Sequence, residues 1–210
     1  MNRLLLVFFL GTVVFSCEPR KKPKAPFVAE AFVPPYTLSV PENWTTETFG
    51  ITIEFAPSIP YTGVEDLRFA PGWDNSASED YWTYCYLWYL DGKTTVDAKT
   101  LKENMEAYYT GLVGRNIDKR KIPKEKLFPV KASFGEVTTL PGDRVSFKGS
   151  VDMLDYMAQQ PIKLNFYVHV KECPGKDNTF VFFEISPKDD THPVWNTLHQ
   201  IWTDFKCDVK

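Results

Sequence analysis

The chain has 210 residues, with 24 Lys and Arg set against 27 Asp and Glu for a net charge of −3. That balance argues against a nucleic-acid binder, which would carry a basic excess. The length points to one domain with enough chain to bury a sizeable core. Aromatic residues make up 15%; they can fill a core or line a groove, and composition does not separate the two.

The first segment is MNRLLLVFFLGTVVFSC. Arg3 gives a short positive start, Leu4 to Phe15 is uncharged and mostly apolar, and Ser16 is small. This is the pattern of a secretory signal over residues 1–16, too short to span a bilayer as a helix. The stretch Val14-Phe15-Ser16-Cys17 resembles the bacterial lipobox: an aliphatic residue, a tolerant position, a small residue, then the acylated cysteine. The resemblance implies cleavage before Cys17, a diacylglyceryl thioether on its sulfur and an acylated amino terminus. The alternative is an ordinary signal cleaved near Ser16, with Cys17 free for a disulfide. Glu18 follows the cysteine; an Asp there would resemble an inner-membrane retention signal, so the outer membrane is the expected location in a Gram-negative cell. Removing residues 1–16 takes away Arg3 and leaves 23 basic against 27 acidic side chains.

Residues 17–35 read as a lipidated tether. Pro19, Pro23, Pro26, Pro34 and Pro35 resist helix, and Arg20, Lys21, Lys22 and Lys24 are solvated. Those four charges either attract anionic headgroups, at roughly 1 kcal/mol each, or belong to a plain spacer. A single domain over 36–210 is expected to follow. Tyr36 to Val40 alternates as a strand and stops at Pro41; Gly50 to Ala56 is a second strand and Val64 to Phe69 a third. Tyr81 to Leu90 is the strongest strand, apolar on both faces and therefore central. Asp97 caps a helix in which Leu101, Met105, Tyr108 or Tyr109, and Leu112 recur at helical spacing, with Gly114 closing it. Residues 115–126 read as a charged loop.

The sheet resumes with Val130 to Leu140, and Pro141-Gly142 suits the central pair of a type II turn. On the return strand Val145, Phe147, Val151 and Met153 share one face; Arg144, Ser146, Lys148, Ser150 and Asp152 share the other. The next strand repeats this, with Ile162, Leu164, Phe166, Val168 and Val170 against Lys163, Asn165, Tyr167, His169 and Lys171. Such alternation predicts antiparallel strands with one wet face, on which His169 is solvated. Thr179 to Ser186 is a further strand, apolar on both faces. A final helix starts near His192, with Thr191 as its cap and a stripe of Val194, Leu198, Ile201 or Trp202, and Phe205. The sum is α+β: a mainly antiparallel sheet of seven or eight strands with two principal helices.

The opening Tyr36 to Trp44, a strand followed by Pro41 and Trp44, resembles the start of the Mog1/PsbP-like group. The ending, Phe180 to Ser186 followed by a helix with Trp195, Leu198, Ile201 and Phe205, is similar to how that group closes. The resemblance implies a layered sheet-and-helix sandwich and a non-enzymatic binding role, without naming a partner.

Export places Cys85, Cys173 and Cys207 where disulfides persist. Cys85, in an apolar strand, reads as a buried thiol; Cys173 and Cys207, at the ends of elements, are the candidate pair. No metal and no cofactor is expected: CxxC is absent, and His192 and His199 stand seven residues apart, two helical turns and roughly 10.5 Å. The acidic run Asp74 to Asp80 lacks the Gly and Glu that an EF-hand loop needs. No GxSxG, Walker loop, GxGxxG or HExxH occurs. Clustered loop acids, Glu65, Asp66, Asp74, Glu79 and Asp80, leave an envelope hydrolase acting on glycans as the rival. The favoured expectation is a lipid-anchored binding or assembly module. It would touch the membrane through Cys17 and take an envelope protein or glycan on the Pro57–Asp80 loop through Tyr61, Phe69, Trp73 and Trp82.

Overall fold

The computed structural model of the protein describes residues 27–207. The expected signal segment, Cys17 and the expected tether up to residue 26 lie outside the described residues. Among those described, no helix is long and apolar enough to cross a membrane.

The fold is α+β. Among the described residues nine strands form two antiparallel sheets. In chain order the elements are β1 (Tyr36–Thr37), β2 (Thr45–Ile51), β3 (Gly63–Phe69), β4 (Tyr84–Asp91), α1 (Ala98–Gly114), α2 (Ile117–Arg120), β5 (Lys131–Val137), β6 (Val145–Asp155), β7 (Gln160–Lys171), β8 (Asn178–Ser186), α3 (Val194–Thr203) and β9 (Lys206–Cys207). The main sheet has seven strands in the order β2-β3-β4-β8-β7-β6-β5, and β1 pairs with β9 beside it. Two hairpin runs, β2-β3-β4 and β5-β6-β7, therefore meet on β8.

Side chains alternate across this sheet and build a core on each face. Tyr84, Tyr86 and Trp88 of β4 join Val181, Phe183 and Ile185 of β8 under α1, where Leu101, Met105, Tyr108 and Tyr109 are buried. Cys85, Leu87, Phe180 and Phe182 face the other way, under Trp195, Leu198, Ile201 and Trp202 of α3. Three layers result, helix on sheet on helix, with β4 and β8 buried on both faces. Asp97 caps α1 as expected, in a capping box with Thr100 (2.7 and 3.0 Å). The β5–β6 connection is the expected turn: the Asp143 N–H donates to Leu140 at 3.0 Å and Gly142 takes φ +86°.

Several expectations require correction. The second strand is Thr45–Ile51, not Gly50–Ala56. Ile53, Ala56 and Ile59 are buried at every third position, because residues 53–59 form successive turns under α1. Only Tyr36 and Thr37 of the first expected strand pair, with Cys207 and Lys206. Residues 27–35, expected as tether, lie against the domain: Ala29–Ala31 forms a 3-10 turn, and Phe32 packs on the second core with Phe27 at 5.8 Å. Residues 117–120 form one helical turn within the expected loop. Thr191 does not cap α3; its hydroxyl goes to Asp189 at 2.6 Å, and His192 Nδ1 accepts from the Val194 N–H at 3.2 Å.

Candidate functional site

The expected wet face of β6 and β7 is partly roofed, because α3 returns across it. Ser146 is paired directly with His169, and Tyr167 with Glu184. His169 and Glu184 are thus diagonal neighbours on one face, within side-chain reach. Trp202 of α3 stacks on His169 with ring centroids 5.8 Å apart and on Phe182 at 5.1 Å. His199, nearly one turn earlier on the same helix, hangs over Glu184. As a result His169 is 3% exposed and Glu184 and Ser146 are buried; His169 is not solvated as the alternation predicted. Lys148, Asp152 and Lys163 on the same face stay at the surface and form ion pairs there.

His169 Nε2 lies 3.3 Å from Glu184 Oε1, and His199 Nδ1 lies 2.5 Å from Glu184 Oε2. Close as they are, neither contact has hydrogen-bond alignment: all four atoms are buried and without a hydrogen-bond partner. On its other edge His169 Nδ1 meets Asp143 Oδ2 at 2.9 Å. Asp143 is itself held by the Trp202 indole N–H (3.0 Å), the Ser146 hydroxyl (3.2 Å) and Lys171 Nζ (3.6 Å). Burial alone would lower the His169 pKa, but the carboxylates of Asp143 and Glu184 outweigh it and push it up to about 9. The two buried carboxylates therefore favour positive charge at the imidazole.

The chain matches no family model, no curated protein and no solved structure. The reading therefore rests on this chain's own residues.

The aromatic loop is packed differently from expectation. Phe69 and Trp82 are core residues, and Trp82 is 1% exposed. Trp73 is half-buried, stacked on Phe69 at 4.4 Å and edge-on to Trp82 at 6.3 Å. Tyr61 is half-buried beside Trp88 at 6.0 Å. The loop is drawn back by the Trp82 N–H donating to Trp73 at 2.7 Å and the Ala70 N–H donating to Thr83 at 3.2 Å. The rings seal the end of the sheet, so Phe69 and Trp82 are withdrawn as surface anchors. Cys173 and Cys207 are joined in a disulfide with Cα atoms 5.8 Å apart, and Cys85 is a buried thiol whose pKa burial pushes up.

A second feature lies on the α1 face. Glu65 is 2% exposed, accepts a hydrogen bond from the Tyr108 hydroxyl at 2.8 Å and borders a hollow of about 350 Å³ with Phe55 and Arg115. Burial raises its pKa to about 7, opposed by the hydrogen bond from Tyr108. Its sequence neighbour Asp66 points to the opposite face, where it accepts from the Tyr36 hydroxyl at 3.1 Å and pairs with Arg68.

Spacing along one helix could not find the His169–Glu184–His199 cluster, because its members come from β7, β8 and α3. One signal was present: Glu184 is the lone charge in the apolar run Phe180 to Ile185.

Proposed function

We propose that the protein is a lipid-tethered binding or assembly module of the cell envelope, anchored through acyl chains on Cys17 and located at the outer membrane. One observation carries the reading: an apolar signal ending in Val14-Phe15-Ser16-Cys17, followed by a short Pro- and Lys-rich stretch and then a folded domain. Each buried methylene contributes about 0.8 kcal/mol, so several acyl chains hold almost permanently where one would not. Phe27, Val28 and Val33, exposed where the domain meets the tether, suit a position close to headgroups. The resemblance of both chain ends to the Mog1/PsbP-like group supports a non-enzymatic binding role, for which an envelope protein or glycan is the proposed partner.

The hydrolase alternative finds less support. Glycosidase acids face each other across about 5–9.5 Å of open cleft. Here Glu65 and Asp66 point to opposite faces of the sheet, Glu79 is drawn to Lys188 at 3.3 Å, and Asp80 is the lone carboxylate of the shallow hollow it lines. Fractionation of cells tests the reading. The wild type should sediment with outer membranes and Cys17→Ser should not; a variant that still sediments after a carbonate wash would contradict it.

A further inference from the structure

We propose that His169 Nε2, Glu184 and His199 Nδ1 form a binding site for one divalent zinc ion, tying α3 to β7 and β8. The inference goes beyond the envelope role and stands whether or not Cys17 is acylated.

The polar demand of this cluster is unmet within the protein. Seven buried side-chain N and O atoms among the described residues have no hydrogen-bond partner, and four of them belong to these three residues. A buried carboxylate without a hydrogen bond is costly unless a positive charge compensates it. The three ligand atoms lie within 4.8 Å of one another. Nitrogen and oxygen atoms that are close together but misaligned for hydrogen bonding are what ligands around a common centre look like. Bonds of 2.0–2.1 Å at tetrahedral angles put neighbouring ligand atoms roughly 3.3 Å apart. The His169–Glu184 contact is 3.3 Å; the His199–Glu184 contact, at 2.5 Å, would have to lengthen on binding.

The surroundings fit a metal better than an ion pair alone. Metal-bound histidines commonly donate their second ring N–H to a carboxylate, which fixes the tautomer and strengthens the ligand. Asp143, 2.9 Å from His169 Nδ1, holds that place and is itself locked by Trp202 and Ser146. Zinc would displace the proton from Nε2 while Nδ1 keeps its own for Asp143, so that the Nε2 lone pair faces the Glu184 side. Two imidazoles and one carboxylate select a borderline ion such as zinc over magnesium or calcium, which want oxygen ligands. The His199 side chain is 38% exposed while its Nδ1 is buried, so the site lies just beneath the surface.

The test is zinc titration by calorimetry on the full chain, purified in detergent without a polyhistidine tag and stripped with a chelator. One zinc per chain is expected. His199→Ala, at a partly exposed position that leaves the core intact, should bind at least tenfold more weakly. Asp143→Asn should weaken binding about 10- to 100-fold. His192→Ala, whose ring faces Glu79 at 3.9 Å, should bind as the wild type does. No uptake by the wild type would overturn the proposal and leave His169 as an imidazolium between two carboxylates. Uptake undiminished in His199→Ala, or lost in His192→Ala, would overturn it too.

Discussion

Glu65→Gln should change how stability depends on pH, by an amount the structure sets. Glu65 is 2% exposed and, chiefly through burial, titrates near 7 rather than the usual 4.5. The unfolded chain releases this proton near 4.5 and the folded chain holds it until about 7. Across that window the folded state binds more protons, so stability falls as pH rises. Below 4.5 both states are protonated and the loss is absent; above 7 both are ionised and it is complete. At about 1.36 kcal/mol per pH unit, the interval is worth about 3 kcal/mol. The amide introduced by Glu65→Gln would be neutral throughout and would keep an oxygen for the Tyr108 hydroxyl. Urea unfolding of both proteins at pH 4.5 and pH 8 isolates the effect, since other titrating groups cancel in the difference. The stability of the variant relative to the wild type should rise by about 3 kcal/mol between the two pH values. A difference that stays constant would refute a buried carboxyl at Glu65.

Trp73→Ala should act as a packing mutation, lowering stability by about 3 kcal/mol in thermal melts, because its ring stacks on Phe69; an unchanged midpoint would restore it as a surface anchor. Cys173→Ser with Cys207→Ser opens a loop with a separation of 34 residues, which chain entropy values at about 4 kcal/mol; denaturant midpoints with and without reductant check this. Gly111→Ala, which in a free helix interior would gain about 1 kcal/mol, should destabilise, because an added Cβ would run into the Phe55 carbonyl. A gain in melting temperature would show that the 53–59 turns can move away from α1.

Periodicity made much of the fold legible. The strict alternation of β6 and β7, the two-faced apolar strands β4 and β8, the Asp97 cap and the Pro141-Gly142 turn are local signals, and each fixes its element. What failed was non-local. Nothing in β7 reveals that α3 returns over His169; its alternation is the same whether the polar face meets water or a helix. The loop aromatics face the same ambiguity, since Trp73 and Trp82 look alike as anchors and as plugs until the loop's hydrogen bonds fold it back. The second strand is not legible because Ile51, Ile53 and Phe55 alternate as a strand would, while the exposed edge β2 is held by pairing of the Thr-rich 45–51 with β3. The candidate ligand cluster is the extreme case, with one residue from each of three elements and no spacing to betray it.

Metabolic labelling with palmitate tests the central claim, that this domain is held to a membrane through Cys17. Cells producing the wild type should show label on the protein, and cells producing Cys17→Ala should show none at equal expression. Label retained in the variant, or absent from the wild type, would contradict the account.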